Sequence, residues 1–234
     1  MKPEFYKDVD AALERIATHI RRTPVEFSHS MSNSSGCKVL LKLENLQITG
    51  SFKARGAVNK MSLLALENPE KIITASSGNH GSAVAYASKI LELDSLIFLP
   101  ETVSSAKLSK IEQFGAQVHI EGKDTGDTEQ AARAYALKHG YPYLSPYNDY
   151  DVIAGQGTIA AEVSQQVSGI DAVFIAVGGG GLISGIGGYL KQVHPSVQII
   201  ACSPENSAAM HYSLEADTII DIDHLETISD GTAG

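Results

Sequence analysis

The chain reads as an α/β protein built from parallel sheets, and three observations point there. Short apolar, β-rich runs recur along its 234 residues with helical stretches between them, the alternation that builds βαβ units. Several of these runs are almost uniformly apolar, as central strands of a parallel sheet covered on both faces are. Hydrophobic residues make up 43% of the chain and charged residues 19%, a composition that supports a buried core and excludes a disordered chain.

Taken in order, residues 8–21 place Val9, Leu13, Ile16, Ala17 and Ile20 at helical spacing before Pro24, so an amphipathic helix opens the fold. Strands are expected at 39–43, 72–75, 95–99, 117–120, 173–177 and 198–202, each followed or preceded by a helical stretch. No repeat of fixed period and no low-complexity tract interrupts them. Between 141 and 151, Pro142, Pro146, Asn148 and Asp149 cluster among tyrosines, which marks either a domain crossing or an ordinary polar loop.

Charge and composition exclude several classes. Lys plus Arg number 18 against 27 Asp plus Glu, a net charge of −9, and no basic block stands out, so nucleic acid and anionic membranes are not expected partners. No apolar run is long enough to span a bilayer. Residues 1–10 mix acids and lysines without an apolar core, unlike a secretory signal, so a cytoplasmic location is expected. Cys37 and Cys202 are the two cysteines. They are far apart and lack ligand spacing, so neither a disulfide framework nor a metal site is expected.

Three segments carry chemistry. In the first, Gly178, Gly179, Gly180 and Gly181 follow an apolar run and precede Leu182, Ile183 and Ser184 at the start of a helical stretch. Glycines permit positive φ and close approach, and a helix N-terminus favours an anion, so this junction reads as a phosphate cradle. Neither the dinucleotide spacing of glycines nor a Gly-Lys-Ser/Thr run is present. The second segment, residues 50–57, reads Gly-Ser-Phe-Lys-Ala-Arg-Gly-Ala. Ser51 is the expected N-cap, which puts Lys53 in the first helical turn. A cation there opposes the helix dipole; the lysine is either a nucleophile kept near neutrality or a solvated side chain at a helix start. The third segment, Ser76, Ser77, Gly78, Asn79, His80 and Gly81, offers hydroxyl, amide and backbone donors at another expected helix start. That set suits a carboxylate or a phenolic oxygen, although the same residues are ordinary helix-start formers.

In order and spacing, these segments resemble the fold type II pyridoxal 5′-phosphate enzymes, specifically their threonine dehydratase and serine racemase branch. The resemblance implies two parallel-sheet α/β domains, as in the tryptophan synthase beta subunit, with the cofactor in the cleft between them. Residues 1–69 plus 149–234 would form the large cofactor domain and 70–148 the small substrate domain. It implies that Lys53, beside Phe52, holds pyridoxal 5′-phosphate covalently and acts as base at Cα. Gly178, Gly179, Gly180, Gly181 and Leu182 would hold the phosphate, and Asn79 the ring 3′-oxygen. Ser76, Ser77, Gly78, Asn79 and His80 would bind the substrate carboxylate, with Ser77 a second acid/base in racemases. The implied activity is deamination of a β-hydroxy amino acid such as L-threonine or L-serine to a 2-oxo acid and ammonia. An amino acid racemase and an inactive cofactor-binding fragment are the other two readings. Ser77-Gly78-Asn79-His80 favours elimination over the β-replacement of cysteine synthase relatives, whose loop reads Thr-Gly-Asn-Thr. A small amino acid substrate and a homodimer are the implied partners, and Arg133 and Lys107 are candidates to meet a substrate's second carboxylate.

The pattern departs from that family in two places. Pro204 stands where cation-binding members carry an acid; Glu205 follows it, either as a substitute ligand or as part of a Pro-Glu helix start. Family members also continue past the 230–234 segment, and a sheet lacking its last strand is expected to be poorly stable or to oligomerise.

Overall fold

A computed structural model describes residues 2–220, 222, 225–229 and 231–232. Helix α1 (Phe5–Ile16) buries Phe5, Val9, Ala12 and Ile16 along one face, the stripe expected of an amphipathic opening helix. It ends at Ile16 and not near 21. Tertiary partners take the backbone beyond it: the Gln47 side chain accepts from Arg21 N–H and donates to Arg21 O, and Tyr86 OH donates to His19 O. Strand β1 (Val25–Phe27) then pairs antiparallel with β2 (Leu40–Lys42), with α2 (His29–Ser35) between them. The 39–43 run is thus a three-residue strand, and β1 carries too short a pattern to stand out in the sequence.

Helix α3 (Lys53–Leu64) leads to β3 (Ile72–Ala75), α4 (Asn79–Leu91), β4 (Ser95–Leu99), α5 (Ser105–Glu112), β5 (Gln117–Ile120) and α6 (Thr125–His139). Strands β3, β4 and β5 form a parallel sheet in that order. On the other side of β3, Tyr143 makes a parallel bridge to Ile73. Helix α7 (Tyr150–Gln166) follows, capped by the Asp149 carboxylate, which accepts from the N–H groups of Asp151 and Val152. Strand β6 (Ala172–Ala176), α8 (Gly181–Val193) and β7 (Gln198–Cys202) close a right-sized βαβ unit whose two strands are parallel. Pro204 opens a short 3₁₀ turn, Glu205–Ser207, before α9 (Ala209–Ala216), the helix-start reading of that pair. Of the 230–234 segment, only Gly231 and Thr232 are among the described residues.

Two-sided burial holds for part of the sheet system. Every residue of β3 is buried, and only Leu96 in β4 is less than buried. In contrast β5, at the sheet edge, is largely exposed. The β6–β7 pair packs Val173, Ile175 and Ile199 toward α8 and the core, while Phe174 on the opposite face is 71% exposed. Two-sided burial, expected of several strands, is met by β3 and β4 and does not extend to this pair.

One core joins α3, α4, β3 and β4 through Val58, Met61, Ile72, Val84, Ile97 and Leu99; a second joins α1, α7, α8 and β6. Helices α3 and α7 approach closely. A Cβ placed on Gly155 would lie 2.6 Å from Gly56 Cα, so this crossing requires glycine on both helices. It holds the first turn of α3 against the middle of α7.

Candidate active site

All three chemistry-bearing segments stand at helix N-termini: Lys53 opens α3, Asn79 opens α4 and Gly181 opens α8. What joins them is the irregular strap of residues 144–148. The Lys53 amine donates to Pro146 O at 2.9 Å. His80 Nε2 lies 3.4 Å from Leu144 O, which also accepts from the Thr74 hydroxyl. Tyr147 packs on the glycine run so tightly that a Cβ on Gly179 would fall 2.5 Å from its ring. The strap is the 141–151 cluster whose role was open in the sequence.

At α3 the cap differs by one position from the expected one. Phe52 is the residue before the helix, and Ser51 Oγ accepts from Lys53 N–H at 3.1 Å. Ser51 therefore turns the chain into the helix, and Lys53 is its first residue. The Lys53 amine is 5.3 Å from the centre of the Phe52 ring. Burial pushes its pKa down to about 8, because a charged ammonium loses hydration there and gains no carboxylate among the described residues in return. An amine half neutral near pH 8 is what attack on an aldehyde requires.

His80 is buried, and its pKa is pushed down to about 3, first by burial and then by the nearby Lys53 charge. The ring is a neutral imidazole, and its Nδ1 has no hydrogen-bond partner among the described residues. It lies under the site and supports the strap. Ser76, Ser77 and Gly78 are half-buried and Asn79 is exposed at the mouth of the turn. Ser76 Oγ accepts from Gly78 N–H, shaping the turn. No hydrogen bond joins Ser77 or Asn79 to Lys53 among the described residues.

The glycine run forms a cradle that side chains would fill. Gly180 has φ +81°, a conformation that other residues adopt at a cost. Ser184 N–H is the first to reach back into the helix, to Gly180 O, so the N–H groups of residues 181–183 stand ahead of the α8 ladder. Such a terminus accepts a phosphate through backbone donors and dipole together. Leu182 turns away into the core under α8. A lysine amine near neutrality, a phosphate cradle and a donor-rich turn about one strap are the donor set that pyridoxal 5′-phosphate needs, and the residues present fit that group.

Sequence reading missed Pro146 and Tyr147 as site residues, although their Pro-Tyr cluster was the available signal. Arg133 and Glu129 form an ion pair on α6, with the guanidinium 4.2 Å from the centre of the Tyr143 ring. No polar contact links Arg133 to Lys53. The described residues contain no cluster of three or more His, Cys, Asp or Glu arranged for a metal, and Cys37 and Cys202 are exposed free thiols. No described helix is long and apolar enough to cross a membrane.

Comparison with known proteins shows the family and the fold. The family model described as "Pyridoxal-phosphate dependent enzyme" matches residues 16–234. The catabolic L-threonine dehydratase of Staphylococcus aureus (strain USA300) is 41% identical over 226 residues, covering 96% of this chain and 65% of that protein. The chain therefore spans just under two thirds of that relative's length. Among solved structures, the processed form of threonine deaminase isoform 2 from Solanum lycopersicum superposes with a TM-score of 0.92 at 35% identity, covering 98% of this chain and 68% of that one. Maize serine racemase superposes equally well, TM-score 0.92 at 32% identity, covering 97% of this chain and 69% of that one. With that family model matching residues 16–234 and a relative 41% identical over 96% of this chain's length, the chain belongs to the pyridoxal-phosphate dependent enzymes.

Proposed function

We propose that the protein carrying this chain deaminates a β-hydroxy amino acid such as L-threonine or L-serine to a 2-oxo acid and ammonia. The observation that carries this reading is the convergence of a half-buried lysine amine, lowered to about 8, with two helix N-termini on one strap. Similarity to a threonine dehydratase and a threonine deaminase supports the substrate class.

Each group has one task in this reading. The N–H groups at Gly178–Leu182 hold the cofactor phosphate, Phe52 lines the site beside the lysine, and Asn79 meets the ring 3′-oxygen. Pyridoxal 5′-phosphate, when bound, supplies the electron sink for the bond broken at Cα. Ser76, Ser77, Gly78 and His80 form the turn that binds the substrate carboxylate, where the N-terminus of α4 favours an anion. Lys53, as the neutral amine, takes the Cα proton. The strap and Tyr147 limit access of water from one side. Residues 70–148 act as the small domain of a two-domain enzyme, the rest as the large one, in a cytoplasmic homodimer.

The test is incubation of the cofactor-loaded protein with L-threonine, L-serine and threo-3-hydroxyaspartate, with 2-oxo acid and ammonia both measured. Equal yields of the two products are expected, and Lys53→Ala is expected to lower the rate by at least about 10²-fold. Absence of both products with all three substrates would overturn the reading. A racemase is the second reading, favoured by the half-buried Ser77 hydroxyl and the similarity to maize serine racemase. Recovery of inverted substrate, lost in Ser77→Ala, would select it.

A further inference from the structure

Behind Lys53 lies a chain of buried charges that the proposed reaction does not use. Arg55 is fully buried and forks between two carboxylates. Its Nε and Nη2 reach Glu44 at 2.8 Å each, and its Nη1 and Nη2 reach Glu162 at 2.7 and 2.9 Å. Nη1 also meets the Thr158 hydroxyl at 3.1 Å. Lys42 closes the far end, donating to Glu162, to Gln166 and to Thr23 O. Thr23 Oγ1 donates to Glu44. Two cations and two carboxylates thus alternate, each paired.

Stability alone does not account for this arrangement. Desolvating four charges costs about as much as their pairing returns, and apolar residues of similar volume often serve equally well. What a guanidinium adds is direction, because its planar fork fixes both partners at once. The partners are informative. Helix α3 is already joined to α7 at three further points: Gly56 N–H to the Gln156 side chain, Asn59 to Asp151 O, and Lys60 to Asp149 and Asp151. Arg55 alone among these also reaches Glu44, at the start of the segment that runs through Gly50 and Ser51 into Lys53. It therefore ties together the chain before Lys53 and the helix beside it.

Arg55 sits two residues after Lys53 in the same helical turn, so their side chains leave the helix in roughly opposite directions, about 200° apart. We propose that Arg55 is a positioning residue for Lys53: gripped by Glu44 and Glu162, it sets the rotation of the first turn of α3, and so the direction of the Lys53 amine toward the strap at Pro146. This rests on Lys53 as the cofactor lysine, and it asks more, that the lysine's aim is set from the opposite side of its helix.

The test reads the amine itself, without cofactor. Competitive acylation by acetic anhydride across pH 6 to 11, with mass mapping of each lysine, yields the apparent pKa of Lys53. His80, on α4, and the carbonyl of Pro146 are the titratable and polar groups that face it. In the unsubstituted protein the apparent pKa is expected near 8. In Arg55→Met the amine swings toward water, and its apparent pKa is expected to rise by about one unit or more, which at pH 8 cuts the neutral fraction from about one half to about one tenth. Arg55→Lys is expected not to restore it, because an ammonium does not span two carboxylates. Glu44→Gln, which keeps the Glu162 pairing and the side-chain shape, is expected to move the value in the same direction and decides the matter if Arg55→Met does not fold. Lys60→Met, which breaks α3 from α7 one helical turn further along, is expected to leave it unchanged. An unchanged Lys53 in Arg55→Met and Glu44→Gln, or an equal shift in Lys60→Met, would overturn the proposal. Failure of pyridoxal 5′-phosphate to load on the unsubstituted protein would instead count against the function proposed above, and the acylation values would still judge Arg55.

Discussion

At the scale of single residues, Lys53 shows how burial prepares a nucleophile. Among the described residues its amine gives one hydrogen bond, to Pro146 O, and no carboxylate shares its surroundings. Its neutral form is therefore favoured relative to a solvated lysine. The sign for reactivity is direct: below about 8 the amine is protonated and inert, and above it the amine is free to react. Covalent loading with pyridoxal 5′-phosphate is expected to accelerate as pH rises from 6, with a midpoint near 8 and not near 10.5. Stopped-flow absorbance at several pH values checks this, and a midpoint near that of free lysine would contradict it. His80 shows the same effect of burial carried further. With its pKa near 3, it stays neutral throughout that range, so the midpoint belongs to the lysine. The sequence located both residues, but it did not show the contact of His80 with Leu144 O, because an imidazole's neighbours in space are not its neighbours in the chain.

Among the elements, the junction of β6 with α8 carries the sharpest constraint. The four glycines were readable as a cradle from their place between strand and helix. Why Gly179 admits nothing larger was not readable, since the obstacle is Tyr147, 32 positions earlier in the chain. Tyr147 in turn is held by the strap that Thr74, His80 and Lys53 all grip through its carbonyls. A methyl group on residue 179 must therefore push a fixed ring. Gly179→Ala is expected to weaken cofactor binding by about tenfold or more, in line with the ~1–3 kcal/mol typical of overpacking. Titration of the protein with pyridoxal 5′-phosphate, followed by absorbance, measures it. The same substitution at Gly115, where φ is +81° but no atom lies within 4 Å of the added Cβ, is expected to leave binding unaffected and to cost only backbone strain.

The whole molecule distributes its stability unevenly. Strands β3 and β4 lie between helices, whereas the β6–β7 pair has one covered face among the described residues. Phe98 on β4 is fully buried against Tyr135 and His119, whereas Phe174 on β6 is 71% exposed. Phe98→Ala is expected to cost about 3–5 kcal/mol, and Phe174→Ser to change stability by less than about 0.5 kcal/mol. Urea unfolding midpoints of the two variants test the contrast. A large cost for Phe174→Ser would mean that another surface covers that face in solution.

Local order accounts for what the sequence determined by itself. Helix and strand periodicity, glycine runs and helix-start chemistry all act between near neighbours, so the α/β class, the bounds of β3, β4, β5 and β7, and the three helix starts bearing Lys53, Asn79 and Gly181 were legible in the chain. Tertiary structure decided what depends on partners far apart in sequence. It ended α1 at Ile16 by giving the following backbone to Gln47 and Tyr86. It turned an ambiguous Pro-Tyr cluster into the strap that joins the three segments, and it paired Arg55 with carboxylates 11 positions before it and 107 after it. Such contacts follow from burial and from the geometry of packed elements, and both exist only once the chain has folded.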